Sequence, residues 1–150
     1  MVSSSGRSIA EPQPAWEIAR LYPSQGHWTQ EDFMAVTRST NWLVELTDGR
    51  IEVLPMPRMW HQLIVQYVHV MLLNFVRSHS LGRVLPAPFH VRLRQGLIRD
   101  PDVMFMSAAH AARMKQDAWD GADLVIEVVS EGREDRQRDL VQKRREYAEA

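Results

Sequence analysis

The 150-residue chain predicts an α/β (α+β) domain, a mixed sheet flanked by helices with a β-hairpin on its N-terminal side. Three observations carry that expectation. Asp48-Gly49 stands between two strand-like runs, a strong hairpin signal because Asp-Gly tolerates the left-handed backbone of a tight turn. A long segment, roughly 58–80, then places Trp60, Ile64, Tyr67, Val68, Met71, Leu72, Phe75 and Val76 at helical spacing. Beyond Gly82 the period drops to two: Phe89, Val91 and Leu93 alternate with His90, Arg92 and Arg94, a strand with one polar face.

The elements follow in order. Residues 1–28 contain Ser and Pro and lack an apolar signal segment, so they read as a tail, and 29–150 as the domain. Thr29 is a candidate N-cap for a short helix carrying Phe33, Met34 and Val36. The hairpin spans Trp42–Thr47 and Arg50–Leu54, and the long helix follows with Gly82 as its expected C-cap. Leu97–Met106 reads as strand interrupted at Pro101, which has no N–H to give a ladder. Ser107 caps a short helix to about Met114, Ala122–Val129 is a further strand, and Arg133–Ala150 a polar helix with Leu140 and Tyr147 turned inward. That helix reaches Ala150 without a cap, so a truncated domain with its final strand missing and one sheet edge unpaired is expected.

Composition narrows the classes. Hydrophobic and charged contents of 45% and 25% are those of an ordinary globular domain, large enough to bury a core. The absence of cysteine excludes disulfide scaffolds and thiolate metal sites and fits a reducing cytoplasm. No apolar run has the length of a membrane span. A formal net charge of −1 gives no overall attraction to nucleic acid, so such binding requires a local patch.

Two acids stand out chemically. Asp102 precedes Val103-Met104-Phe105-Met106, and Glu127 follows Leu124-Val125-Ile126. A carboxylate at the end of a buried strand needs a partner or a metal ion, and two brought together repel unless a cation lies between them. If their strands pair antiparallel, the acids meet at one end of the sheet. If the strands are parallel, roughly 13 Å separates them, at about 3.3 Å per residue. A metal site therefore requires antiparallel neighbours.

Pro101-Asp102, then Glu127, then a lysine resemble the PD-(D/E)xK superfamily and its restriction-endonuclease-like fold. From about Trp42 to Ala150 the chain is similar to a family of small bacterial restriction-endonuclease-like proteins. The matching segments are Val44–Gly49, His61, Leu85–Pro88, Asp100–Asp102, Leu124–Ser130, Asp139–Lys143 and Tyr147. The superfamily's lysine stands two residues after the glutamate, where this chain has Val129; in the related small family it comes from the following helix, at Lys143. The resemblance implies a metal-dependent endonuclease hydrolysing phosphodiester bonds in DNA. Asp102, Glu127 and Lys143 are the implied catalytic set. Asp102, Glu127 and the Val128 backbone carbonyl would hold Mg²⁺, with Mn²⁺ as the alternative ion and Glu45 as an added ligand. His61, Arg133, Arg136 and Arg144 are the implied nucleic-acid contacts, and a homodimer is an option for a double-strand cutter.

Each residue also has a plain structural role: Asp102 as a turn former, Glu45 as the polar member of a strand, His61 as a helix-surface histidine, Lys143 on a solvated face. The basic residues of the last helix are matched by Glu131, Glu134, Asp135, Asp139, Glu146 and Glu149, which leaves little net footprint. The alternative function is accordingly a catalytically degenerate nuclease fold that binds nucleic acid or a protein partner. A parallel α/β small-molecule binder lacks the glycine-rich loop it would need after a strand.

Overall fold

The computed structural model describes residues 22–129 and 138–150. Helix α1 (Gln30–Ser39) leads into strands β1 (Val44–Thr47) and β2 (Arg50–Val53), then the long helix α2 (Met59–Ser78). Strands β3 (Gly82–Pro86), β4 (His90–Arg94), β5 (Leu97–Arg99) and β6 (Val103–Ser107) follow. A 3-10 turn (Ala108–Arg113), strands β7 (Ala118–Asp120) and β8 (Leu124–Ile126), a π-helical segment (Arg138–Lys143) and helix α3 (Arg144–Ala148) complete the order. One five-stranded sheet runs β2-β1-β5-β4-β7 and one three-stranded sheet β3-β6-β8. Among the described residues only β4 and β7 pair in parallel, so the α+β class with a mixed sheet is as expected.

Local chemistry explains the elements. Thr29 and Asp32 form a reciprocal capping box at the start of α1, each side chain accepting the other's N–H at 3.1 Å. Asp48 (φ 46°) and Gly49 (φ 79°) are both left-handed, the pair a type I′ hairpin turn demands. Residues 25–28 bond onto this hairpin, with Gln25 bridging to Ile51 and the Gly26 and Trp28 N–H groups donating to the Gly49 carbonyl.

The interior is layered. Phe33 and Met34 of α1 pack on Val44, Leu46 and Ile98 of the first sheet. Val91, Met104, Met106 and Trp119 fill the space between the sheets, and Val65 and Val76 of α2 close the outer face of the second sheet on Val84 and Val103. Strand β6 shows why its run is continuously apolar: Val103 and Phe105 face α2, while Met104 and Met106 face the other sheet.

Three expectations are corrected. Gly82 is not the helix cap; α2 ends four residues earlier, and Ser80 supplies the left-handed residue (φ 54°). Gly82 opens β3, with φ 154°, and a Cβ there would lie 2.0 Å from the Met106 carbonyl oxygen. Strands β3 and β7 are not legible in the sequence, since their short runs carry no apolar–polar alternation. Finally, the apolar stripe of α2 does not all turn inward: Val68, Leu72 and Val76 pack on the sheet, but Trp60, Ile64, Tyr67, Met71 and Phe75 are exposed.

The interruption at Pro101 has a clear cause. Strand β5 belongs to the first sheet and β6 to the second, so Asp100-Pro101-Asp102 is the segment that crosses between them.

Candidate functional site

The crossover and the end of β8 build the site. Strands β6 and β8 are antiparallel, with Val103 opposite Ile126, so Asp102 and Glu127 stand at the same end of the sheet. The Val128 N–H donates to Asp102 Oδ2 at 2.7 Å, tying the two chain segments together at the acids. Across from them, at the start of α2, His61 Nε2 lies 3.3 Å from Asp102 Oδ2 and 3.1 Å from the Val128 carbonyl oxygen. Two acceptors face Nε2, which assigns the proton to that nitrogen. His61 Nδ1 is buried with no hydrogen-bond partner among the described residues.

The final helical segment adds the lysine. Lys143 is 4% exposed, and its Nζ donates to Glu127 Oε1 at 3.3 Å and to Glu45 Oε1 at 3.0 Å. One turn on, the Tyr147 hydroxyl donates to the same Glu127 oxygen at 2.7 Å. Burial raises the Glu127 pKa above the usual glutamate range; Lys143 and Tyr147 oppose that rise, and Asp102 and Glu45 add to it. The Tyr147 hydroxyl is pushed far up by burial and by the neighbouring Glu127 charge, so it remains a donor throughout the working pH range.

Beneath these groups lies a second tier, in which Glu45 is joined by Arg99, Glu146, Asp100 and His90, four residues that sequence reasoning missed. Glu45 in β1 is fully buried on the face opposite Val44 and Leu46, and accepts from Arg99 Nη1 at 3.2 Å and the Asp100 N–H at 3.1 Å besides Lys143. Arg99 in turn makes a two-point contact with Glu146 at 2.8 and 2.9 Å and reaches Thr47 Oγ1 at 2.9 Å. Burial lowers the Arg99 pKa, but the Glu146 and Glu45 carboxylates outweigh it and hold the guanidinium charged. Asp100 pairs with His90 through a very short contact. The signal for this tier was an Arg-Asp pair following the apolar Leu97-Ile98, charges that burial does not tolerate alone.

The structure thus brings together Asp102, Glu127, the Val128 carbonyl, Lys143, His61 and Glu45, the last one layer deeper. Arg144 is exposed, and Arg133 and Arg136 lie outside the described residues. The polar face of β4 is neutralised, with Arg92 paired to Asp120 at 2.7 Å and Arg94 to Asp48 at 2.6 and 3.0 Å. No helix among the described residues is long and apolar enough to cross a membrane.

Among the described residues no three His, Cys, Asp or Glu side chains converge as a metal cage. The donor set is two carboxylates and one carbonyl oxygen, which suits a hard cation that keeps several waters. A cation beside Glu127 would offset the burial that raises its pKa and the smaller repulsion from Asp102, so these residues would fit such a group.

In comparisons with known proteins, no curated protein matches the chain. The model of one family, Uma2, described as "Putative restriction endonuclease", matches residues 30–150. With its acids and lysine at one sheet end and the match covering most of its length, the chain belongs to the Uma2 family of restriction-endonuclease-like proteins.

Proposed function

We propose that this protein is a metal-dependent endonuclease that hydrolyses phosphodiester bonds in DNA. The observation that carries the proposal is the meeting of Asp102 and Glu127 at one end of antiparallel β6 and β8, with the Lys143 ammonium 3.3 Å from Glu127. Asp102, Glu127 and the Val128 carbonyl would hold Mg²⁺ or Mn²⁺. When bound, the ion supplies Lewis acidity toward the phosphate and activates water for attack. Tyr147 fixes one oxygen of Glu127, so that its other oxygen would be the one offered to the ion. Lys143 places a positive charge where negative charge develops on the phosphate. His61 Nε2–H stands beside Asp102 and the Val128 carbonyl, ready to donate to a phosphate oxygen once those acceptors are otherwise engaged. Glu45 is a positioning residue. Its oxygens are taken up by Lys143, Arg99 and a backbone N–H, so its work is to aim Lys143, not to bind metal.

The near-complete burial of Lys143 between two carboxylates favours a second reading, in which the lysine is structural and the protein binds nucleic acid without cutting it. Plasmid nicking and oligonucleotide cleavage with Mg²⁺ and Mn²⁺ separate the two. The nuclease reading expects cleavage by the full chain, lost in Asp102→Asn and Glu127→Gln and reduced about 10²–10³-fold in Lys143→Met, all with wild-type circular dichroism. Undiminished cleavage by Asp102→Asn sinks it. Salt-sensitive binding with no cleavage of DNA or RNA under either ion selects the second reading.

A further inference from the structure

The outer face of α2 is largely apolar, with Gln62, Gln66 and Asn74 as its exposed polar residues before Arg77, and nothing among the described residues covers it. Trp60, Tyr67 and Phe75 are 72%, 68% and 55% exposed. From side chains of ~150–250 Å² each, they alone present roughly 400 Å² of aromatic surface. A patch of that size on a monomer marks an interaction site. From Met59 to Val76 the helix has no Asp, Glu, Lys or Arg; the first charge is Arg77. A nucleic-acid partner would require cations there, and a helix lying on a membrane surface carries Lys and Arg along its polar face, where this one has them only at its ends, Arg58 and Arg77.

The pattern of exposure identifies the occupant. Apart from Trp60, the exposed apolar residues of α2 are symmetric about Tyr67. Met59 lies as far before it as Phe75 lies after, Leu63 matches Met71, and Ile64 matches Val70. An antiparallel copy of the same helix, related by a twofold axis at Tyr67, therefore meets apolar residues with apolar residues around that axis, at Leu63, Ile64, Tyr67, Val70 and Met71. Met59, Leu63, Tyr67, Met71 and Phe75 also form one unbroken ridge at four-residue spacing. Two such ridges interdigitate at a crossing near −50°, the commonest helix packing in globular proteins. Isologous contact needs self-complementarity of this kind, and the absence of charge removes like-charge repulsion across the axis. Leu63, Ile64, Val70 and Met71, 45–56% exposed, surround Tyr67 with aliphatic surface that such a contact would bury.

We propose that α2 is a homodimer interface, in which two copies of this chain pack antiparallel across Tyr67. The assignment stands apart from the nuclease reading, since it uses none of the acids or Lys143.

The chain contains no cysteine, so a single introduced thiol reports the contact cleanly. Sedimentation of the full chain is expected to give a species of twice 17.4 kDa. Tyr67→Cys, at the axis, should cross-link to its own copy on mild oxidation or with a short bismaleimide, whereas Gln95→Cys in the exposed β4–β5 turn should not. Tyr67→Glu, which sets two carboxylates against each other, should weaken association about a hundredfold or more while leaving circular dichroism unchanged. A chain that stays monomeric at 100 µM overturns the proposal, whether its α2 face is then bare or covered by residues 1–21. So does a dimer that Tyr67→Glu leaves intact, or one whose Tyr67→Cys form cross-links no faster than Gln95→Cys. Should Tyr67→Glu fail to fold, the cross-linking comparison decides alone.

Discussion

Removing Glu45 should damage this protein out of proportion to a single surface-type residue. Its carboxylate is fully buried and accepts from Lys143 at 3.0 Å, the Asp100 N–H at 3.1 Å and Arg99 at 3.2 Å. Glu45→Ala leaves two buried cations short of one anion and a buried N–H without an acceptor. Breaking a buried pair by deleting one partner costs about 3–5 kcal/mol. That is a large part of the ~5–15 kcal/mol that holds a domain together. With a urea slope near the middle of the usual ~1–3 kcal/mol/M, the unfolding midpoint should fall by about 2 M. The control is Glu149→Gln, which breaks the exposed Arg145–Glu149 pair of α3 and should change stability by no more than about 0.5 kcal/mol. Equilibrium urea denaturation followed by tryptophan fluorescence measures both. If Glu45→Ala loses less than about 1 kcal/mol, the network does not carry the load assigned to it here, and Lys143 is positioned by something else.

Two further outcomes follow from the geometry. Burial raises the Glu127 pKa in the folded state above its ordinary 4.5. The folded protein therefore binds more protons than the unfolded chain between those two values. The stability linked to this group is full below 4.5 and is lost as pH rises through the raised value. Glu127→Gln removes that loss, so its stability relative to wild type should climb with pH above about 4.5; a relative stability that falls with pH would contradict the sign. Gly82→Ala drives a Cβ onto the Met106 carbonyl at 2.0 Å in a left-handed backbone, and should cost more than about 1 kcal/mol in thermal or urea unfolding. A neutral substitution there would mean that β3 and β6 part easily.

The elements legible in the sequence were those governed by local chemistry. Asp48-Gly49 turns because both residues accept positive φ, and Thr29 with Asp32 caps α1 through atoms three residues apart. The two acids drew attention because short apolar runs flank them, and burial makes such a charge costly without partners. Pro101 marked a break in the strand, and that break is the passage from one sheet to the other. Local pattern could not say which apolar residues of α2 face the sheet, since both faces of the helix are apolar. The hydrophobic period records spacing and not which side has a neighbour.

Tertiary structure decided the rest, because the deciding contacts join residues far apart in the chain. Antiparallel pairing of β6 with β8 sets Asp102 beside the Glu127–Val128 turn. Lys143 reaches Glu45 across 98 positions of sequence, and Arg99 joins Glu45 to Glu146 in a cluster that no local window contains. The sequence by itself determined that a buried carboxylate would need a partner. Which cation answers it depended on how the sheets and the last helix pack, because electrostatic partners are chosen by distance in space and not along the chain.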